Sequence, residues 1–75
     1  MMIKNAKHIK SFLPGTVVEV KTAAGNIVKK GDVLIIFDAM KMHNRIVAAT
    51  DGKVKSVNVQ QNDTVPKDFL MVELE

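Results

Sequence analysis

Short apolar segments alternate with turn-forming residues along the whole chain. No window holds an apolar stripe at helical spacing that is long enough to indicate an amphipathic helix. The segment after Gly52 has the period of two that is typical of a strand, with one slip of phase among Val54, Val57 and Val59. Pairs such as Pro14-Gly15 mark turns between segments. The pattern predicts an all-β chain with strands at residues 16–20, 33–37, 46–49, 54–59 and 70–74.

The chain contains an internal repeat. A shift of 37 residues superimposes the segment from Gly15 on the segment from Gly52. Five of 24 aligned positions are identical, and both segments run in the order glycine, strand, turn, valine, apolar run. Two half-sheets related by a pseudo-twofold axis could bury apolar faces that neither could bury alone. The repeat therefore predicts a flattened barrel or sandwich.

The linker between the two halves, residues 38–51, begins with an unusual stretch. Met40-Lys41-Met42 follows the most apolar run of the chain, and a strand is predicted on each side of it. The chain must therefore reverse direction around residues 40–44. Two-residue hairpin turns need positive φ and favour Asn-Gly or Asp-Gly, which are absent here, so local rules alone do not predict a two-residue turn.

Charge and composition exclude some functions. The formal net charge is +3, but the 11 basic residues are scattered, and the three aromatic residues are all phenylalanine. Proteins that bind single-stranded nucleic acids usually combine a basic groove with exposed aromatic residues on which bases stack. We expect no nucleic-acid partner. His8 and His43 have no second ligand at metal-binding spacing, and Asp38 and Asp51 form no evident acid/base pair, so neither metal nor catalytic residues are predicted.

The chain of 75 residues is long enough for one small domain, and it has no cysteine with which to stabilise it. Its longest apolar run, residues 33–37, is far too short to span a membrane. The beginning of the chain lacks the apolar stretch and cleavage site of a secretory signal. We expect a cytoplasmic protein without direct membrane contact.

The stretch from Asp38 to Met42, Asp-Ala-Met-Lys-Met, closely resembles the Glu-Ala-Met-Lys-Met signature of biotinyl carrier domains, the biotin carboxyl carrier family. The segments "PGTVVEV", "GNIVKKGDVL" and "NDTV" also resemble segments of that family. The resemblance extends from about Ile9 to Glu75.

The resemblance implies an eight-stranded structure of two four-stranded half-sheets, with Lys41 on the tip of a hairpin and joined to biotin through its amine. With the tight turn placed there, we expect positive φ at Met40, Lys41 or both, with strain of ~1–3 kcal/mol per residue that the flanking strands must hold. It implies that Ala39, Met40 and Met42 form the cofactor site with Lys41. A biotin protein ligase would attach the biotin, and carboxybiotin would move between the carboxylase or decarboxylase site and the carboxyltransferase site of a biotin-dependent enzyme. The chain itself would be a non-catalytic carrier. Residues 9–75 would form the domain, and residues 1–8 an N-terminal extension that we expect to be flexible.

The sequence departs from the family pattern at several positions. Asp38 replaces the usual Glu, His43 replaces an acidic residue, and Phe12 stands where proline is common. Asn62 and Asp68 stand where the second repeat often has glycine, and Asn tolerates positive φ. No insertion lengthens residues 21–26, so the protruding thumb of some bacterial carriers is not expected.

Two alternatives stay open at this stage. A lipoyl domain shares the fold and the hairpin lysine, but usually has Asp-Lys-Ala at the tip, whereas here methionines flank Lys41. An unmodified β-rich interaction module would leave Lys41 as an ordinary exposed lysine.

Overall fold

The structure is a computed structural model that describes residues 7–75, and these residues form eight strands and no helix. The strands are β1 (His8–Lys10), β2 (Gly15–Val20), β3 (Ile27–Val28), β4 (Val33–Ala39), β5 (Met42–Val47), β6 (Gly52–Val57), β7 (Thr64–Val65) and β8 (Leu70–Leu74). They form two four-stranded sheets in the orders β1-β8-β6-β3 and β5-β4-β2-β7. The described part of the chain measures 31 × 29 × 18 Å. The predicted all-β, flattened, two-sheet fold is confirmed.

The predicted strand bounds need correction. The strand expected at 46–49 is the end of the longer β5, and the strand expected at 54–59 begins earlier, at Gly52. The family resemblance implied eight strands, but the sequence pattern did not locate β1, β3 and β7, because two or three residues are too few to show a period of two. Residues 1–6 of the expected extension lie outside the described residues, so the boundary at residue 9 stays a prediction.

The internal repeat is visible in the backbone contacts. The shift of 37 residues carries β1 to the last part of β5, β2 to β6, β3 to β7 and β4 to β8, and it converts one sheet order into the other. The amide of Gly25 donates to the oxygen of Val54 at 2.8 Å, and its repeat equivalent Asn62 donates to the oxygen of Val17 at 2.7 Å. Gly25 has φ 93° and Asn62 has φ 75°. Asn62 therefore forms the turn that was expected of it.

A second turn uses a buried hydroxyl. In the first half the amide of Asp32 donates directly to the oxygen of Lys29 at 2.9 Å. In the second half Ser11 bridges the equivalent atoms, since its Oγ donates to the oxygen of Pro66 at 2.6 Å and accepts from the amide of Phe69 at 3.0 Å. Ser11 is the buried polar residue of the described part of the chain, at 1% exposure.

Bulges explain the slip of phase in the sequence. The pairing of β6 with β8 shifts register between Val54 and Ser56, and the pairing of β2 with β4 shifts at the equivalent positions, Val17 and Glu19. A bulge inserts one extra residue in a strand and moves the following side chains to the other face.

The core fills the space between the two sheets. Both sheets contribute the fully buried large side chains: Phe37, Leu34, Ile35, Met71, Val17, Val54 and Val72. None of the elements described for residues 7–75 is a helix long and apolar enough to cross a membrane.

Candidate functional site at the hairpin tip

The β4–β5 hairpin turns at Met40 and Lys41. The last paired residues are Ala39 and Met42, so the loop contains two residues. φ is 53° at Met40 and 63° at Lys41, the two positive values that a type I′ turn requires. The predicted positive φ is confirmed at both positions, and a looser loop is excluded.

Pairing on both sides of β4 holds this strained turn. On one side β4 pairs with β5 up to the tip, and on the other side Thr16 of β2 pairs with Asp38. Gly15 permits this close approach, because a Cβ atom at that position would overlap the backbone oxygen of Asp38. Non-glycine residues at positive φ cost ~1–3 kcal/mol each and persist only where the surroundings fix them. The paired strands are those surroundings.

Lys41 is exposed, and its amine makes no hydrogen bond or ion pair with the residues of the described range. Its neighbours differ sharply in exposure: Met40 is 77% and Met42 is 66% exposed, whereas Ala39 is 3% exposed. Neither methionine therefore fills a gap in the core. The tip presents one amine flanked by two exposed thioether side chains.

The four predicted site residues, Ala39, Met40, Lys41 and Met42, lie together at this tip. Asp38 and His43 are opposite each other in the register and share the outer face of the hairpin, since Ala39 on the alternate face is buried. No ion pair joins Asp38 and His43 in the described structure. These two charged or polar side chains flank the lysine on one side only.

Two residues near the tip were not predicted as part of the site. Asn44 folds back toward the tip, where its Nδ2 donates to the backbone oxygen of Met42 at 3.1 Å. Phe12 is 47% exposed, and its ring centroid lies 6.3 Å from that of Phe37 in an edge-to-face contact. In the sequence, the only signal for Phe12 was that it stands where the family commonly has proline. The structure adds that the segment containing Phe12, which crosses from β1 to β2, runs beside β4.

The tip fits a covalently attached biotinyl group. Amide formation needs a single accessible amine, and Lys41 provides one on a backbone fixed by two paired strands. The exposed side chains of Met40 and Met42 add apolar surface on both sides of that lysine in the chain. Within residues 7–75, no group of three or more His, Asp or Glu residues could hold a metal ion.

Comparison with known proteins identifies related sequences. The family described as "Biotin-requiring enzyme" matches residues 4–74. The chain is 42% identical over 71 residues to pyruvate carboxylase of Staphylococcus aureus, covering 95% of this chain and 6% of that protein. It is 42% identical over 79 residues to the mitochondrial propionyl-CoA carboxylase alpha chain of Sus scrofa, covering 100% of this chain and 11% of that protein. The chain thus spans only a small part of these relatives.

Solved structures with the same fold include a carboxylase and a lipoyl domain. The urea carboxylase of Kluyveromyces lactis matches with a TM-score of 0.85 and 27% identity, over 100% of this chain and 7% of that chain. The lipoyl domain of the 2-oxoglutarate dehydrogenase complex of Azotobacter vinelandii matches with a TM-score of 0.74 and 25% identity, over 97% of this chain and 92% of that chain.

Proposed function

This chain belongs to the family of biotin-requiring enzymes, as a biotinyl domain, and we propose that Lys41 is the residue to which its biotin is attached. The observation that carries the proposal is the exposed, unpartnered amine of Lys41 on a two-residue turn with positive φ at both positions. The cofactor of this family is biotin, and the chain is homologous to the carrier regions of biotin-dependent carboxylases. Both findings agree with the family resemblance seen in the sequence.

The chain contributes position rather than chemistry. Lysine amines are mostly protonated at neutral pH, so a biotin protein ligase must supply the activated biotin and the base for amide formation. Biotin held on Lys41 would supply the group that carries a carboxyl from one active site to another. The paired strands β4 and β5 keep the Lys41 backbone in one orientation, and the side chain provides the flexible reach. Such a tether raises the local concentration of the carried group at each site.

The partners follow from this role. We propose that the domain meets a biotin protein ligase, a biotin carboxylase and a carboxyltransferase, and that it has no catalytic turnover of its own. Amide formation removes one positive charge, which changes the formal net charge from +3 to +2. The cytoplasmic location and the lack of nucleic-acid and membrane partners stay predictions from the sequence.

Coexpression with a biotin protein ligase tests the assignment of Lys41. Intact mass is expected to increase by one biotinyl group, and Lys41→Arg is expected to abolish the increase while leaving the melting temperature unchanged, because the Lys41 amine has no partner to lose. Lys53→Arg, another exposed lysine, serves as the matched control and should retain full labelling.

Three results would contradict the proposal. The bare mass after coexpression would favour the unmodified interaction module, and label on Lys41→Arg would place the biotin elsewhere. A parallel coexpression with a lipoyl ligase tests the lipoyl alternative. A mass increase of one lipoyl group in that experiment, together with no mass increase in the experiment with the biotin ligase, would assign the domain to lipoate.

A further inference from the structure

An apolar surface lies beside the lysine on the inner side of the hairpin. Ala39 and Met42 are opposite each other in the register, so they share one face of the hairpin. Ala39 faces inward and is buried, whereas Met42 at the sheet edge is 66% exposed. Met42 directly follows Lys41 in the chain, which places this face within immediate reach of the lysine side chain.

Phe12 extends this surface on the other side of β4. The segment that crosses from β1 to β2 reaches β4 at its tip end, where Gly15 lies against the backbone oxygen of Asp38. The ring of Phe12 packs edge-to-face on Phe37, two residues before Ala39, and remains 47% exposed. We call the exposed side chains of Phe12 and Met42 the tip shelf.

The repeat shows that the aromatic residue is specific to the lysine end. The shift of 37 residues relates Phe12 to Ala49, which lies in the equivalent crossing from β5 to β6 at the opposite end of the sheets. Both crossings connect the same kind of strands, so the fold does not require an aromatic side chain at this position. The half-exposed phenylalanine at only one of the two equivalent ends is therefore free to take a role in binding beside its contact with Phe37.

We propose that the tip shelf binds the fused rings of the biotinyl group carried on Lys41, so that the carrier holds its own cofactor between encounters. This inference depends on the proposed function. The sulfur-containing ring of biotin is apolar and matches Phe12 and Met42, while the ureido edge needs hydrogen-bond partners. The Oδ1 atom of Asn44 provides an acceptor next to the shelf, because its Nδ2 is already bound to the oxygen of Met42.

The covalent tether makes a weak surface sufficient. A ligand attached to Lys41 is present at the tip shelf at the high effective concentration of an intramolecular partner. Two exposed apolar side chains would bind free biotin poorly, but they can hold a tethered ring for a substantial fraction of the time. The ring remains free to leave when a partner's active site binds it more tightly.

NMR on the biotinylated domain tests this proposal. Biotinylation, verified first by intact mass, is expected to shift the ring resonances of Phe12 and the methyl resonance of Met42 but not the methyls of Ile27. Relaxation of 13C-labelled biotin is expected to give order parameters above ~0.6 for the fused rings in the parent protein and below ~0.6, the range of flexible groups, in Phe12→Ala. Ile27→Ala is the control, since Ile27 is 73% exposed and pairs with Lys53 of β6, away from the hairpin tip.

Phe12→Leu keeps an apolar side chain on Phe37, so mobile biotin rings in a folded Phe12→Leu domain would support a shelf that depends on the aromatic ring. Biotin rings that are already mobile in the parent protein would refute the shelf. Slower biotinylation of Phe12→Ala with unchanged biotin mobility would assign Phe12 to the ligase interface instead. An unmodified mass would remove the proposed function together with this inference.

Discussion

Gly15 and Gly52 are repeat equivalents with different surroundings, and this difference predicts a large contrast between two identical substitutions. In Gly15→Ala the new methyl carbon would overlap the backbone oxygen of Asp38 and lie 2.9 Å from Cζ of Phe37. In Gly52→Ala the nearest atom would be the terminal Cδ1 of Leu74 at 3.3 Å. Carbon atoms in favourable contact are ~3.5–4.0 Å apart.

The free-energy change at each site follows from what can move. Near Gly15 the obstacle is the backbone of β4, which is paired on both sides, so relief requires displacing a strand. Overpacking costs ~1–3 kcal/mol, and we expect the upper end of that range, about 3 kcal/mol. Near Gly52 only a side-chain methyl must shift, and the lower entropy of the unfolded alanine chain returns ~0.4–1 kcal/mol. Gly52→Ala should therefore lie within about 1 kcal/mol of the parent.

Circular dichroism is the suitable assay, because the chain has no Trp or Tyr for fluorescence. For a domain of this size, 1 kcal/mol corresponds to ~4–8 °C in melting temperature, so Gly15→Ala should melt roughly 12–24 °C below the parent. Urea titration should give a lower midpoint for this variant with an unchanged m-value. Equal losses in the two variants, within about 0.5 kcal/mol, would refute the argument that the close approach of β2 to β4 depends on Gly15.

Two further predictions concern the turns of the second half. Ser11→Ala should lower the free energy of unfolding by about 1–3 kcal/mol, because the oxygen of Pro66 and the amide of Phe69 lose the buried hydroxyl that bridges them. Ser56→Ala is the control in the urea titrations, since the Ser56 hydroxyl has no such role. Equal losses in the two variants would contradict the importance of the bridge. Asp68→Gly should raise the free energy of unfolding by up to about 1 kcal/mol. The φ angle of Asp68 is 65°, and the relief of its left-handed strain exceeds the entropy that glycine adds to the unfolded chain. A lower melting temperature of the variant would show that Asp68 is not strained.

The site was predictable to the extent that its residues are adjacent in sequence. Ala39, Met40, Lys41 and Met42 occupy one turn, so a resemblance in five consecutive residues was enough to locate them. Phe12 and Asn44 come near the tip only through the sheet crossing and the β4–β5 register. No local pattern encodes those contacts, and the same is true of the bridge that Ser11 makes to a turn 55 residues away.

By itself the sequence determined the all-β class, the two-fold repeat and a reversal of the chain within residues 40–44, and the resemblance of residues 38–42 placed the turn at Met40 and Lys41. Alternating apolar residues and turn formers carry this information locally, and the repeat relates the halves without reference to their contacts. The tertiary structure alone decided the bounds of β5, the positions of β1, β3 and β7, and that φ is positive at both Met40 and Lys41 rather than at one of them. In these short or polar segments the backbone is extended because a neighbouring strand pairs with it. Likewise, positive φ at Lys41 results from the two flanking strands, whose register leaves only two residues to reverse the chain.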